Sequence, residues 1–160
     1  MSSQVLSTQV VAGPDLKAWT RFLRAHAALA RELSSRLENA HGLTLRDYDV
    51  LVQLYYAPER AMRRVDIARA VILSPSGITR LLEGLERAGW VVKANCSSDA
   101  RVTYAKLTQE GTAKFEAAHV THIADVEELF GCRYTDEERA LLADLLGRLP
   151  LADAGACDAG

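Results

Sequence analysis

Leu16, Trp19, Leu23, Ala27, Ala30, Leu33 and Leu37 recur every three or four residues, the period of one helix face. They predict a long amphipathic first helix over about 15–39, closed by His41-Gly42. Thr44, with Asp47 three residues on, opens a second helix whose inner stripe is Tyr48, Leu51, Val52 and Tyr55, and Pro58 stops it. A short third helix follows over about 64–71.

Ser74-Pro75 is a helix start, because a Ser hydroxyl accepts from free backbone N–H groups and Pro at the first helical position forfeits no hydrogen bond. The fourth helix runs from 75 to about 88, with Ile78, Leu81, Leu82 and Leu85 inward and Ser76, Gly77, Thr79, Arg80 and Glu83 outward. The period then changes. Residues 90–96 and 102–107 are rich in β-branched and aromatic side chains and flank the polar SSDAR, which reads as a hairpin. Thr108 caps a fifth helix to about 130, and Thr135 with Glu138 has capping-box spacing before a sixth carrying Leu141, Leu142, Leu145, Leu146 and Leu149. Six helices around one small hairpin, with no strand-helix alternation, exclude nucleotide-binding α/β folds.

The net charge of −2 conceals an uneven distribution. Residues 58–108 hold nine Lys and Arg against five acids, a local balance of +4 that leaves −6 on the rest. A basic central third in an acidic frame suits a nucleic-acid-reading module, and equally a solvated patch. Cys96, Cys132 and Cys157 have no close spacing and read as free thiols. No apolar run approaches the ~18 residues of a membrane span, and the amino terminus MSSQVLSTQVVAGP lacks the charged start and apolar core of a signal peptide. A cytoplasmic protein with no membrane partner is expected, flexible over 1–14 and 151–160. A nucleophile with its base, paired carboxylates, a HExxH helix and a phosphate-binding Gly loop are all missing, so no enzymatic activity is expected.

The third helix, the tight turn at Leu73-Ser74-Pro75 and the capped fourth helix form a helix-turn-helix pattern. A short helical hairpin in an all-α core has the same pattern. A leading turn that enters a major groove ~12 Å wide must avoid bulk and offer donors. Ser74, Ser76, Thr79 and Arg80 offer them beside Gly77, and Arg80 is the candidate for bidentate contact with guanine. Arg63, Arg64 and Lys93 stand where phosphate contacts are expected, and read equally as solvated charges.

The stretch DARVTYAKLTQEG, from Asp99 to Gly111, resembles the wing signature of the MarR family: Asp, any residue, Arg, a strand, Leu-Thr, then Gly. With RVDIARAVILSPSGITRLLEGLERAGWV before it, the resemblance runs from the second helix to the fifth. It implies a mainly α, dimeric winged helix-turn-helix in which Arg101 enters the minor groove and Asp99 orients the wing by a salt bridge. An Arg at a hairpin tip is independently sensible, since narrow minor grooves concentrate negative potential. The implied organisation is dimerisation helices over 15–43 and 108–150 around a DNA-binding lobe over 44–107. The implied function is a homodimeric repressor on a palindromic double-stranded operator, relieved by a small effector.

The family's common effector theme, an aromatic or phenolic acid held between the dimer helices and the DNA-binding lobe, implicates Trp19, His41, Tyr48, Tyr55 and Arg80. Zinc-responsive relatives implicate Glu38, His41, His119 and His122, zinc being the only cofactor in question; solvated or satisfied histidines are the plainer reading. Redox-sensing relatives oxidise a thiol near the start of the first helix, where this chain has none, so Cys96 beside the wing reads as incidental. The competing class is a dimeric metal or redox protein that binds no DNA.

Overall fold

The computed structural model describes residues 14–71, 73–95 and 103–149. Six helices follow one another: α1 (Pro14–His41), α2 (Leu45–Tyr56), α3 (Arg64–Ala70), α4 (Pro75–Arg87), α5 (Gln109–Leu129) and α6 (Asp136–Gly147). Three strands, β1 (Ala61–Arg63), β2 (Val91–Asn95) and β3 (Thr103–Leu107), form one antiparallel sheet in the order β1-β3-β2.

Local chemistry sets most of the boundaries. Gly42, at φ 66, ends α1 in the left-handed region that favours glycine. Reciprocal capping boxes start α2 at Thr44 and Asp47 and α6 at Thr135 and Glu138. The β2–β3 hairpin is in register from Val91 opposite Leu107 to Asn95 opposite Thr103. The expected hairpin is therefore present, but it is two-thirds of a sheet, because Ala61–Arg63 pairs with Tyr104–Lys106 on the other edge of β3. Between α2 and β1, a 3-10 turn at Pro58–Arg60 holds two non-glycine residues at positive φ, Glu59 (53) and Arg60 (56). The Arg60 guanidinium fixes the turn by donating to Thr112 Oγ1 at 2.6 Å while lying over the Tyr55 ring.

The core gathers Leu37 and Leu43 with Tyr48, Val50, Leu51 and Leu54 of α2, Ile67 of α3, Ile78, Leu82 and Leu85 of α4, Val91 and Leu107 of the sheet, and Phe115 and Ala118 of α5. Of the predicted α2 stripe, Val52 and Tyr55 are only partly buried, whereas Val50 and Leu54 are fully enclosed, because α2 is packed on more than one side. The α1 stripe departs further from expectation. Leu37 is buried, but Leu16, Trp19 and Leu23 are 42%, 56% and 43% exposed, and α6 buries none of its residues. Between these helices lies an apolar groove of about 640 Å³, lined by Trp19, Phe22, His26, Phe130, Leu145 and Leu149 among others. No helix among the described residues is long and apolar enough to cross a membrane.

Candidate nucleic-acid interface

The α3–turn–α4 unit is built as its residues require. Leu73 N–H donates to Ala68 O at 2.9 Å, which folds the turn back on α3. Ser74 Oγ then accepts from Gly77 N–H at 3.1 Å and lies 3.2 Å from Ser76 Oγ, so the Ser74 hydroxyl works as a cap. Pro75 occupies the first turn, where a missing N–H costs nothing. A Cβ at Gly77 would lie 3.2 Å from Ser74 Oγ, so any larger residue there crowds the cap. Ile78, Leu82 and Leu85 anchor the inner face, which leaves Ser76 and Arg80 exposed and Thr79 and Gly77 half-buried.

The cations of this lobe are not equivalent. Arg63 Nε and Nη2 donate to both oxygens of Asp66, at 2.6 and 3.1 Å, and this holds the Asp66 carboxyl below the usual carboxylate range. Arg64 Nη2 lies 3.5 Å from Glu86 Oε1, and Lys93 Nζ 3.4 Å from Glu86 Oε2. Arg80 is exposed and has no carboxylate partner among the described residues. Arg63, Arg64 and Lys93, expected as phosphate contacts or merely solvated charges, are thus ion-paired; Arg80 alone of the four is presented unneutralised. Sequence reasoning missed Glu86, whose partners lie on two other elements and leave no local spacing to read. Asp99, Arg101 and Cys96 lie outside the described residues.

Of the residues expected to line an effector pocket, Tyr48 and Tyr55 both pack on the Phe115 ring, while Trp19 and Arg80 lie elsewhere. Tyr48 is buried, with its hydroxyl 2.6 Å from His119 Nδ1 and its ring stacked on Phe115. Burial pushes the Tyr48 phenol up to about 12, so the group stays protonated. Tyr55 donates to Glu116 Oε1 at 3.0 Å, and His41 Nε2 pairs with Thr121 Oγ1 at 2.9 Å. Trp19 instead lines the α1–α6 groove, and Arg80 faces outward from α4.

The zinc set is not assembled. Glu38 accepts from Ser34, His41 is engaged by Thr121 and His119 by Tyr48; no group of three His, Cys, Asp or Glu able to hold a metal occurs among the described residues. His122 has its Nδ1 buried without a hydrogen-bond partner, 4.4 Å ring to ring from Tyr48. Burial lowers its pKa, and the neighbouring Asp125 only partly opposes this. A His whose folded pKa is lowered favours folding above the unfolded value of ~6.5 and loses that contribution as pH falls below it. Urea midpoints measured between pH 7 and 5 should therefore fall more steeply for the native chain than for His122→Asn. Equal slopes would remove His122 from the acid response.

The comparisons agree with this architecture. The family model described as MarR family matches residues 41–102. The HTH-type transcriptional regulator MhqR of Bacillus subtilis is 24% identical over 137 residues, covering 86% of this chain and 92% of its own. Among solved structures, Sco3205, a MarR family transcriptional regulator from Streptomyces coelicolor in complex with DNA, superimposes with a TM-score of 0.80 at 26% identity, over 84% of this chain and 88% of that one. AbsC, a MarR family transcriptional regulator from the same organism, aligns at 31% identity with a TM-score of 0.77, over 81% of this chain and 87% of its own. With a signature helix-turn-helix, an antiparallel wing sheet and these relatives across most of its length, the chain belongs to the MarR family of transcriptional regulators.

Proposed function

We propose that the protein is a sequence-specific DNA-binding regulator that acts in the cytoplasm as a homodimer, each subunit laying α4 into the major groove of one half of a palindromic operator. The observation that carries this is α4 itself: a capped helix whose first two turns expose Ser76 and the unneutralised Arg80 on a rigid apolar base. Arg80 reads guanine, Ser74 to Thr79 fit the groove floor, and Arg101, oriented by Asp99, enters the adjacent minor groove. The relative solved with DNA supports the same use of the fold. Residues 44–107 form the DNA-binding lobe, and 15–43 with 108–150 form the dimerisation part, whose exposed apolar groove is covered by a second copy.

In this reading the protein is a repressor that a small aromatic acid releases. An effector that prefers a dimer whose recognition helices no longer match half-sites one helical turn apart lowers operator affinity by that preference.

Footprinting on the DNA upstream of the chain's own coding region, repeated with phenolic acids, tests the reading. Arg80→Ala is expected to weaken the protected site by about 30- to 10⁴-fold, the ~2–6 kcal/mol of two bidentate base contacts, one in each half-site, and to relax discrimination at one position of each half-site. Unchanged affinity and unchanged sequence preference would remove Arg80 from base reading. Failure of the native chain to select any duplex would end the proposal.

A further inference from the structure

Glu86 joins three elements through one carboxylate. It stands in the last turn of α4 and is 19% exposed; its Oε1 faces Arg64, the first residue of α3, and its Oε2 faces Lys93, in the middle of β2. Arg64 is 24% exposed, with its Nε buried and unpartnered; Lys93 is 55% exposed. The neighbouring Leu85 is buried in the core, which fixes the direction in which Glu86 leaves the helix. Within this lobe the recognition helix, the helix before it and the wing strand are therefore tied at one anionic point.

A DNA-binding lobe gains sequence-independent affinity from each Lys or Arg that meets a phosphate, and each such contact steepens the dependence on salt. A carboxylate placed between two of those cations works in the opposite direction. It lowers the attraction for any duplex while leaving Arg80, which carries base discrimination, untouched.

We propose that Glu86 is a specificity-determining positioning residue: by holding Arg64 and Lys93 it withholds them from phosphate and fixes α4 against α3 and β2, so that base reading outweighs non-specific attraction. This rests on the reading of the chain as a DNA-binding protein. Glu86 itself touches no DNA. Its influence passes through the two cations and through the angle at which α4 is presented.

The test uses the full chain, its footprinted duplex and a scrambled duplex of the same length, with Kd measured across a salt series. Glu86→Gln keeps the side-chain length and removes the charge. It should bind the scrambled duplex about tenfold more tightly at low salt, steepen the logarithmic salt slope by about one to two per subunit, and shrink the ratio of specific to scrambled affinity about tenfold. A purely structural role would lower the thermal midpoint and weaken both duplexes with the salt slope unchanged, which overturns the proposal. So does a folded Glu86→Gln with native slope and ratio.

Lys93→Gln is a second arm that does not disturb the core. If Glu86 withholds Lys93, this variant keeps the native salt slope. A slope that falls by about one per subunit shows Lys93 already on phosphate and overturns the inference. A native chain that binds no duplex defeats the DNA-binding reading, whereas a selective native chain with that shallower Lys93→Gln slope defeats only this inference.

Discussion

Gly111→Ala is expected to lower stability by about 3 kcal/mol, which in a chain of this length depresses the thermal midpoint by roughly 10 °C. Gly111 lies in the first turn of α5, buried against the main chain of Trp90 at the start of the hairpin. A Cβ there would meet the Trp90 carbonyl oxygen, with the Trp90 carbonyl carbon at 2.8 Å and Leu107 Cδ1 at 3.0 Å. The obstacle is backbone, and that backbone is held in place. Thr108 N–H donates to Trp90 O at 3.0 Å, and Thr108 Oγ1 donates to Gly89 O at 2.8 Å while accepting from Gly111 N–H at 2.9 Å. Relief requires α5 to move off the sheet. Gly131→Ala is the control, because the atoms nearest its Cβ would be the carboxylate end of Glu127, an exposed side chain that can swing away. That variant should stay within about 1 kcal/mol of the native chain. Urea unfolding of both variants decides the matter: similar losses would show that α5 is not pinned at Trp90.

Leu145→Asp should convert the protein to monomers and weaken operator binding by roughly 10²- to 10⁴-fold, the advantage of holding two recognition helices on one duplex. Leu145 is 45% exposed and lines the α1–α6 groove with Trp19 and Leu149. Monomeric proteins rarely leave an apolar face of this extent uncovered. A carboxylate in a buried twofold contact would lie unpaired and desolvated against apolar side chains of the second copy. Sedimentation gives the assembly state, and circular dichroism establishes that α6 survives the change. A dimeric Leu145→Asp would place the subunit contact elsewhere.

The features legible in the sequence were those whose cause lies within three or four residues. Thr44 with Asp47, Ser74-Pro75 and Thr135 with Glu138 each announce a helix start, because the capping groups and the N–H groups they satisfy are sequence neighbours. The change from helical to alternating pattern at Trp90 marked the hairpin for the same reason. The strand Ala61–Arg63 was not legible, since three residues are too few to show alternation and it exists by pairing with β3. The first-helix stripe was only partly right: Leu37 is buried and Trp19 lines the groove. The groove face of α1 is otherwise made by Phe22, Ala25 and Leu29, not by Leu16, Leu23 or Ala27, because the period of a largely uncovered helix does not say which face is covered or by what. Hence Trp19 was grouped with Tyr48 and Tyr55, although it lines a different surface. The cations were visible as a local excess of positive charge; Asp66 lies only three residues from Arg63, whereas Glu86, which holds Arg64 and Lys93 from another element, emerged only in three dimensions.

The fifth helix starts at the root of the wing and, with its capping residue Phe130, reaches the groove between α1 and α6. As an unbroken rod of 21 residues it is about 31 Å long. Such a rod is a lever: a pivot of only about 6° at its far end carries the near end sideways by about 3 Å, close to the rise between two base pairs. Under the proposed dimer contact at that groove, a grip on DNA at the other end of the same stiff shaft cannot be adjusted separately.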